Sequence, residues 1–196
     1  KNHGYGKMTP DLQHKFDAHR LDNLTLWAPG PHNLTPAVED VLRNYRATYT
    51  HRSTEFKTCY KQATDLLKEL FHIPDTHTPL IFGHTGSYNW EMVAINTPAT
   101  YRVLGMDLGA FSKKWTQVFQ SKGRQIDVLE AEWGQGISPE TWQNALQKGC
   151  DIALLIHNET ATGVMLPIDA MCATAHELAP DTLIAIDGVS ISGAIE

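Results

Sequence analysis

An α/β fold built on a mostly parallel sheet is what this sequence predicts, and three observations predict it. From Pro79 onward, short apolar runs alternate with longer stretches whose apolar residues fall at helical spacing. The runs Ile152–Ile156 and Leu183–Ile186 are apolar at every position, the pattern of strands buried on both faces. Where the last run ends stands Asp187, followed by Gly188, and in open α/β sheets ligands collect just beyond the carboxyl ends of strands. A lone aspartate there is more often the cap of a turn, so its meaning depends on its neighbours.

In chain order, residues 1 to 22 are polar and His-rich and read as an arm or leader helix. Leu24–Trp27 reads as a short strand, stopped by Ala28-Pro29-Gly30-Pro31. Thr35-Pro36 starts a helix, with a hydroxyl at N-cap, proline at N1 and Glu39-Asp40 in the first turn. From Ser53 to Phe71 the residues Phe56, Tyr60, Ala63, Leu67 and Leu70 form a helical stripe that needs a core to cover it. Strand Leu80–Phe82 leads through Gly83–Ser87 into a helix running towards Ile95. Strand Tyr101–Leu104 leads through Gly105 and Gly109 into a helix with Phe111, Trp115, Val118 and Phe119 on one stripe. Strand Gln125–Leu129 precedes a loop and a helix begun by Ser138-Pro139-Glu140. Strand Ile152–Ile156 runs into a polar loop and a helix from Ile168 to Leu178.

Composition removes several function classes. The net charge of -6 argues against nucleic-acid binding, which needs clustered Lys and Arg. No apolar run reaches the length of a membrane span. Cys59, Cys150 and Cys172 are odd in number and widely spaced in regular elements, which suggests reduced thiols in a cytoplasm-like compartment. The ten histidines show neither HExxH nor paired-cysteine company, so no metal site is read from them.

The loops after the strands carry the chemistry. Gly83-His84-Thr85-Gly86-Ser87 opens a helix, where free backbone N–H groups and two hydroxyls offer a seat for phosphate. It has no Walker lysine and no dinucleotide glycine pattern, and such loops also serve simply as helix caps. Phe111 is either the first core residue of its helix or a face for a planar ring. His157–Gly163 is dense in polar groups directly after a buried strand, which demands either a polar ligand or an extensive turn network. A phosphate seat, an aromatic face, a hydroxyl-rich edge and the Asp187 carboxylate suit a phosphorylated heteroaromatic cofactor with a basic ring nitrogen. Pyridoxal phosphate meets that description, although the spacing alone does not single it out.

Pro29-Gly30-Pro31, His51-Arg52-Ser53 with Glu55-Phe56, Thr85-Gly86-Ser87 with Glu91, Gly109-Ala110-Phe111 with Trp115, Glu159-Thr160 with Thr162-Gly163-Val164, and Asp187-Gly188-Val189-Ser190 occur in this order. Together they resemble the class V pyridoxal-phosphate aminotransferases, near the alanine–glyoxylate and serine–pyruvate branch, over nearly everything from Leu24 to Glu196. The resemblance implies the large domain of fold type I, a sheet with helices on both faces, incomplete at the C-terminus. It implies an arm at 1–23, an N-terminal segment with an interface loop at 24–78 and a partial cofactor-binding domain at 79–196. It further implies a homodimer with active sites at the subunit interface, and amino-group transfer between a small amino acid (alanine or serine) and a 2-oxo acid, glyoxylate or pyruvate.

Residue by residue, Thr85, Gly86 and Ser87 would hold the cofactor phosphate, and Phe111 would stack on the ring. Thr160 would reach the phenolic oxygen, Asp187 would pair with the ring nitrogen, and Val189 would pack on the face opposite Phe111. Gly30 would line the substrate pocket. The family's Schiff-base lysine and substrate-binding arginine fall beyond Glu196, so these 196 residues read as the inactive front part of a longer polypeptide. Without the last strands of the large sheet, the strand at Leu80 loses its neighbour and edges stay open. Other class V chemistries (desulfurase, kynureninase, phosphonate aminotransferase) and a non-catalytic cofactor-binding module without the lysine remain as alternatives.

Overall fold

The computed structural model describes residues 33–45 and 49–195. The chain divides after residue 47 into two compact units. The first contributes one described helix, α1 (Pro36–Asn44), with Thr35 at its N-cap and Pro36 in its first turn. The Thr35 hydroxyl makes no capping hydrogen bond, and the helix buries none of its residues. The short strand expected at Leu24–Trp27 and the turn containing Gly30 lie outside the described residues.

The second unit begins with α2 (Thr54–Leu70). The Ser53 hydroxyl caps it by accepting from the Phe56 N–H at 3.2 Å. Its apolar stripe has little cover, since Phe56, Tyr60 and Leu70 are all exposed. Then come α3 (Gly86–Asn96), β1 (Val103–Asp107), α4 (Ala110–Ser121), β2 (Ile126–Glu130), α5 (Pro139–Lys148) and β3 (Ile152–Ile156). The chain continues through β4 (Asn158–Glu159), β5 (Val164–Met165), α6 (Ile168–Leu178) and β6 (Leu183–Asp187). The main sheet has the order β2-β1-β3-β6 with every pair parallel, so the fold is α/β as predicted.

Side chains alternate across a strand, and that period of two sorts the core into two layers. Val103, Ile152, Leu154 and Ile156 face Trp90 and Ala94 of α3 and Trp115 and Phe119 of α4. Leu104, Met106, Ala153 and Leu155 face Trp142 and Leu146 of α5 and Met171 and Ala175 of α6. Burying a side chain the size of Phe119 contributes about 2–3 kcal/mol, and residues at this spacing line the sheet side of every helix from α3 to α6. Helices α5 and α6 form where Ser138-Pro139 and Pro167-Ile168 begin them, and the Ser138 hydroxyl accepts from the Thr141 N–H at 3.1 Å.

Four expectations need correction. Leu80–Phe82 is not a strand: no ladder pairs with it among the described residues, and all three side chains are exposed. β6 is not buried on both faces: it is an edge strand among the described residues, with Leu183 56% and Ile186 45% exposed. β1 does not stop at Leu104 but continues through Gly105 to Asp107. A β-carbon at Gly105 would lie 2.7 Å from both Ile126 Cδ1 and Thr116 Oγ1, so this glycine belongs to the strand and lets α4 pack close against it. Finally, the polar loop after β3 contains a two-residue hairpin ladder, Asn158↔Met165 and Glu159↔Val164. The three cysteines are free, and burial pushes the Cys150 and Cys172 thiols above their ordinary range.

Candidate active site

The parallel register places the site. Ile156 of β3 pairs with Asp187 of β6, so Asp187 shares the sheet face of Ile152, Leu154 and Ile156, the face that α3 covers. Trp90 of α3, 4% exposed, therefore meets the aspartate from that side: its indole Nε1–H donates to Asp187 Oδ2 at 2.8 Å. The Val189 N–H donates to the other carboxylate oxygen at 3.0 Å. Gly188 makes this close turn possible. A side chain there would stand 2.7 Å from Ser192 Oγ, and Ser192 N–H donates back to Gly188 O at 2.8 Å. The half-buried carboxylate opens onto a cavity of about 390 Å³, lined by Gly86, Trp90, Trp115, Ala185, Asp187 and Val189 among others.

Gly86 joins that cavity from the N-terminus of α3. Thr85 is the N-cap of α3 but its hydroxyl makes no capping hydrogen bond, and the first turn carries no acidic residue. The first-turn N–H groups and the Thr85 and Ser87 hydroxyls thus meet no local carboxylate, a donor set that suits an anion. A β-carbon on Gly86 would come to 3.5 Å from Val189 Cγ2, so the helix start and the turn after β6 approach each other closely. Exposed His84 donates through Nδ1 to Thr85 O at 2.9 Å and lies between Phe82 and Tyr88.

The loop after β3 resolves differently. Glu159 is fully buried and accepts from the Phe111 and Ser112 N–H groups, from Ser112 Oγ and from the Ala161 N–H, at 2.8–3.3 Å. It sits at the N-terminus of α4, where the helix dipole favours a negative charge. Gly109 faces it: a β-carbon there would be 2.7 Å from Glu159 Cγ. Thr162 Oγ1 donates to Leu108 O at 3.3 Å, and the Gly163 N–H to Glu159 O at 2.8 Å. Of the two ways to satisfy this loop, the structure uses the turn network. Asn158 reaches across to the turn after β6, donating from Nδ2 to Ser190 Oγ at 3.0 Å, and so ties the two loops together.

Gly86, Asp187 and Val189 meet at one cavity, whereas Thr85 and Ser87, the chain neighbours of Gly86, do not line it. Phe111 is 43% exposed, which rules out its being the first core residue of α4. Its backbone N–H donates to the Glu159 carboxylate, as does the N–H of Ala161, the residue after Thr160; neither Phe111 nor Thr160 lines the cavity. Gly30 lies outside the described residues. Reading the sequence did not find Trp90, which stands at an apolar position of α3 with nothing local to mark it. Nor did it find the burial of Glu159; Gly109, the one residue small enough to admit it, was the available sign.

Among the described residues no lysine lines the cavity. Lys113 is bound to Asp107 at 2.8 Å, which raises its pKa, and Lys122 is bound to Glu91 at 2.6 Å. Among the described residues no group of three or more His, Cys, Asp or Glu is placed to hold a metal ion, and no helix is long and apolar enough to cross a membrane.

Known proteins resemble this chain in sequence and in fold. The serine–glyoxylate aminotransferase of Methylorubrum extorquens is 33% identical over 175 residues, covering 87% of this chain and 43% of that protein. The L-aspartate–glyoxylate aminotransferase of Paracoccus denitrificans is 28% identical over 176 residues, with 87% and 44% covered. Among solved structures, ureidoglycine–glyoxylate aminotransferase from Bacillus subtilis superposes with a TM-score of 0.76 at 25% identity, covering 86% of this chain and 43% of that one. The chain thus spans less than half the length of the relatives it matches. Residues 28–196 match the model of the family described as aminotransferase class-V, and the chain belongs to that family.

Proposed function

We propose that the polypeptide to which these residues belong transfers an amino group between a small amino acid, alanine or serine, and glyoxylate or pyruvate, using pyridoxal phosphate. The observation that carries the reading is the Asp187 carboxylate at the carboxyl end of β6, held on both oxygens and open to a cavity that the N-terminus of α3 also reaches. Family membership and relatives named as glyoxylate aminotransferases support it.

On this reading Thr85, Gly86 and Ser87 bind the phosphate, and Asp187 holds a proton on the ring nitrogen. When bound, the cofactor supplies an electron sink for the substrate carbon from which a proton is removed. Phe111 and Val189 confine the ring from its two faces, and Thr160 orients its phenolic oxygen. Gly30 borders the substrate. The lysine that would move the proton and the arginine that would bind the substrate carboxylate come from the rest of the polypeptide, so these residues alone are inactive. The whole works as a homodimer with sites at the subunit interface, and the three free thiols of these residues suit the cytoplasm.

The test is an assay of the full-length polypeptide with alanine and serine as donors against glyoxylate and pyruvate as acceptors, with pyridoxal phosphate present. Turnover of at least one pair, lost when the cofactor is dialysed away, is the expected result. No transfer from either donor, with cofactor bound, would refute the reading.

A further inference from the structure

We infer that Trp90 is the positioning residue for Asp187: its indole N–H fixes the carboxylate in the orientation that meets the nitrogen of a bound pyridine ring. The inference rests on the cofactor reading above and adds a residue that reading does not contain.

The geometry is specific. The donor–acceptor distance of 2.8 Å joins residues 97 apart in sequence, one on α3 and the other at the end of β6. Asp187 ends its strand and its side chain is only half-buried, so a donor from the helix that covers this face sets the orientation of its carboxylate. Trp90 can serve because it cannot move: it is 4% exposed and its ring stacks on that of Trp115, with centroids 6.0 Å apart and planes 17° from parallel. Burial alone does not bring an indole N–H to an acceptor here, since Trp115 is just as deeply buried and its Nε1 has no hydrogen-bond partner in this structure. The indole takes Oδ2 and the Val189 N–H takes Oδ1, so rotation of the carboxylate is blocked at both ends. A carboxylate oxygen accepts more than one hydrogen bond, which leaves lone pairs facing the cavity for a ring N–H.

Two ligands separate this role from simple packing: pyridoxal phosphate, and its analogue with carbon in place of the ring nitrogen. Both carry the same phosphate, but only the first can use Asp187. Their affinities for the full-length apo-polypeptide would be measured in the wild type and in Trp90→Phe. The wild type is expected to prefer pyridoxal phosphate, and Trp90→Phe to lose about tenfold of that preference while binding the analogue as before. Should Trp90→Phe fail to fold, benzothienylalanine at position 90 keeps the shape and stack and removes only the N–H donor, and the same loss is expected. An undiminished preference in either variant would overturn the role of Trp90 and leave the cofactor reading standing. A wild type that binds both ligands equally, or neither, would overturn both.

Discussion

Two carboxylates stand at the ends of adjacent parallel strands, and they differ in almost everything but chemistry. Glu159, just past β3, is fully buried, and four donors close around it. Asp187, at the end of β6, is half-buried, holds one donor on each oxygen and faces a cavity. The first carboxylate has no capacity directed outward: it is the device that fastens the loop after β3 to the start of α4. The second is fixed but incompletely satisfied, which is the condition for meeting a ligand. Reading function from a carboxylate at a strand end therefore requires counting its donors, because position alone makes the two look alike.

If that contrast is right, the two residues fail in different ways when replaced. Glu159→Ala leaves three backbone N–H groups and a serine hydroxyl without their acceptor in a dry interior, and should cost about 3 kcal/mol or more of stability. Urea melts of the full-length polypeptide would read this directly, and a loss below about 1 kcal/mol would mean that the network does not hold the loop. Gly109→Ala probes the same contact from the other side. Its new methyl would sit 2.7 Å from Glu159 Cγ and 3.0 Å from Thr162 Cγ2, and both neighbours are pinned. The cost should be about 1–3 kcal/mol, entirely steric, since the backbone of Gly109 is extended and open to any residue. Combined with Glu159→Ala, which removes the obstructing carbons, the glycine substitution should cost less than it does alone.

How much of this was legible follows the same division. Helices α5 and α6 could be read because Ser138-Pro139 and the spacing of Trp142, Ala145 and Leu146 are local signals, and the local signals agree with the packing. Asp187 could be read as a candidate because the apolar run before it ends abruptly. Glu159 could not be read as buried, because nothing local distinguishes a satisfied glutamate in a polar loop from a solvated one. Trp90 was hidden by its own good fit: at helical spacing an indole counts as core, and its N–H partner lies 97 residues away. The residues Leu80–Phe82 and the edge strand β6 were misread for a related reason. Their sequences are those of strands with neighbours on both sides, while in this structure the former have none and the latter has one.

The most direct test of the central claim, that Asp187 is the ligand-meeting carboxylate, compares the affinity of the full-length polypeptide for pyridoxal phosphate with that of its Asp187→Asn variant. The substitution keeps the shape but leaves one oxygen for two donors, so either the Trp90 or the Val189 N–H loses its acceptor and stability should fall by about 1–3 kcal/mol without loss of the fold. Affinity should fall about tenfold or more, because a charge-assisted hydrogen bond to the ring nitrogen is lost. Equal affinity of the two proteins would contradict the claim.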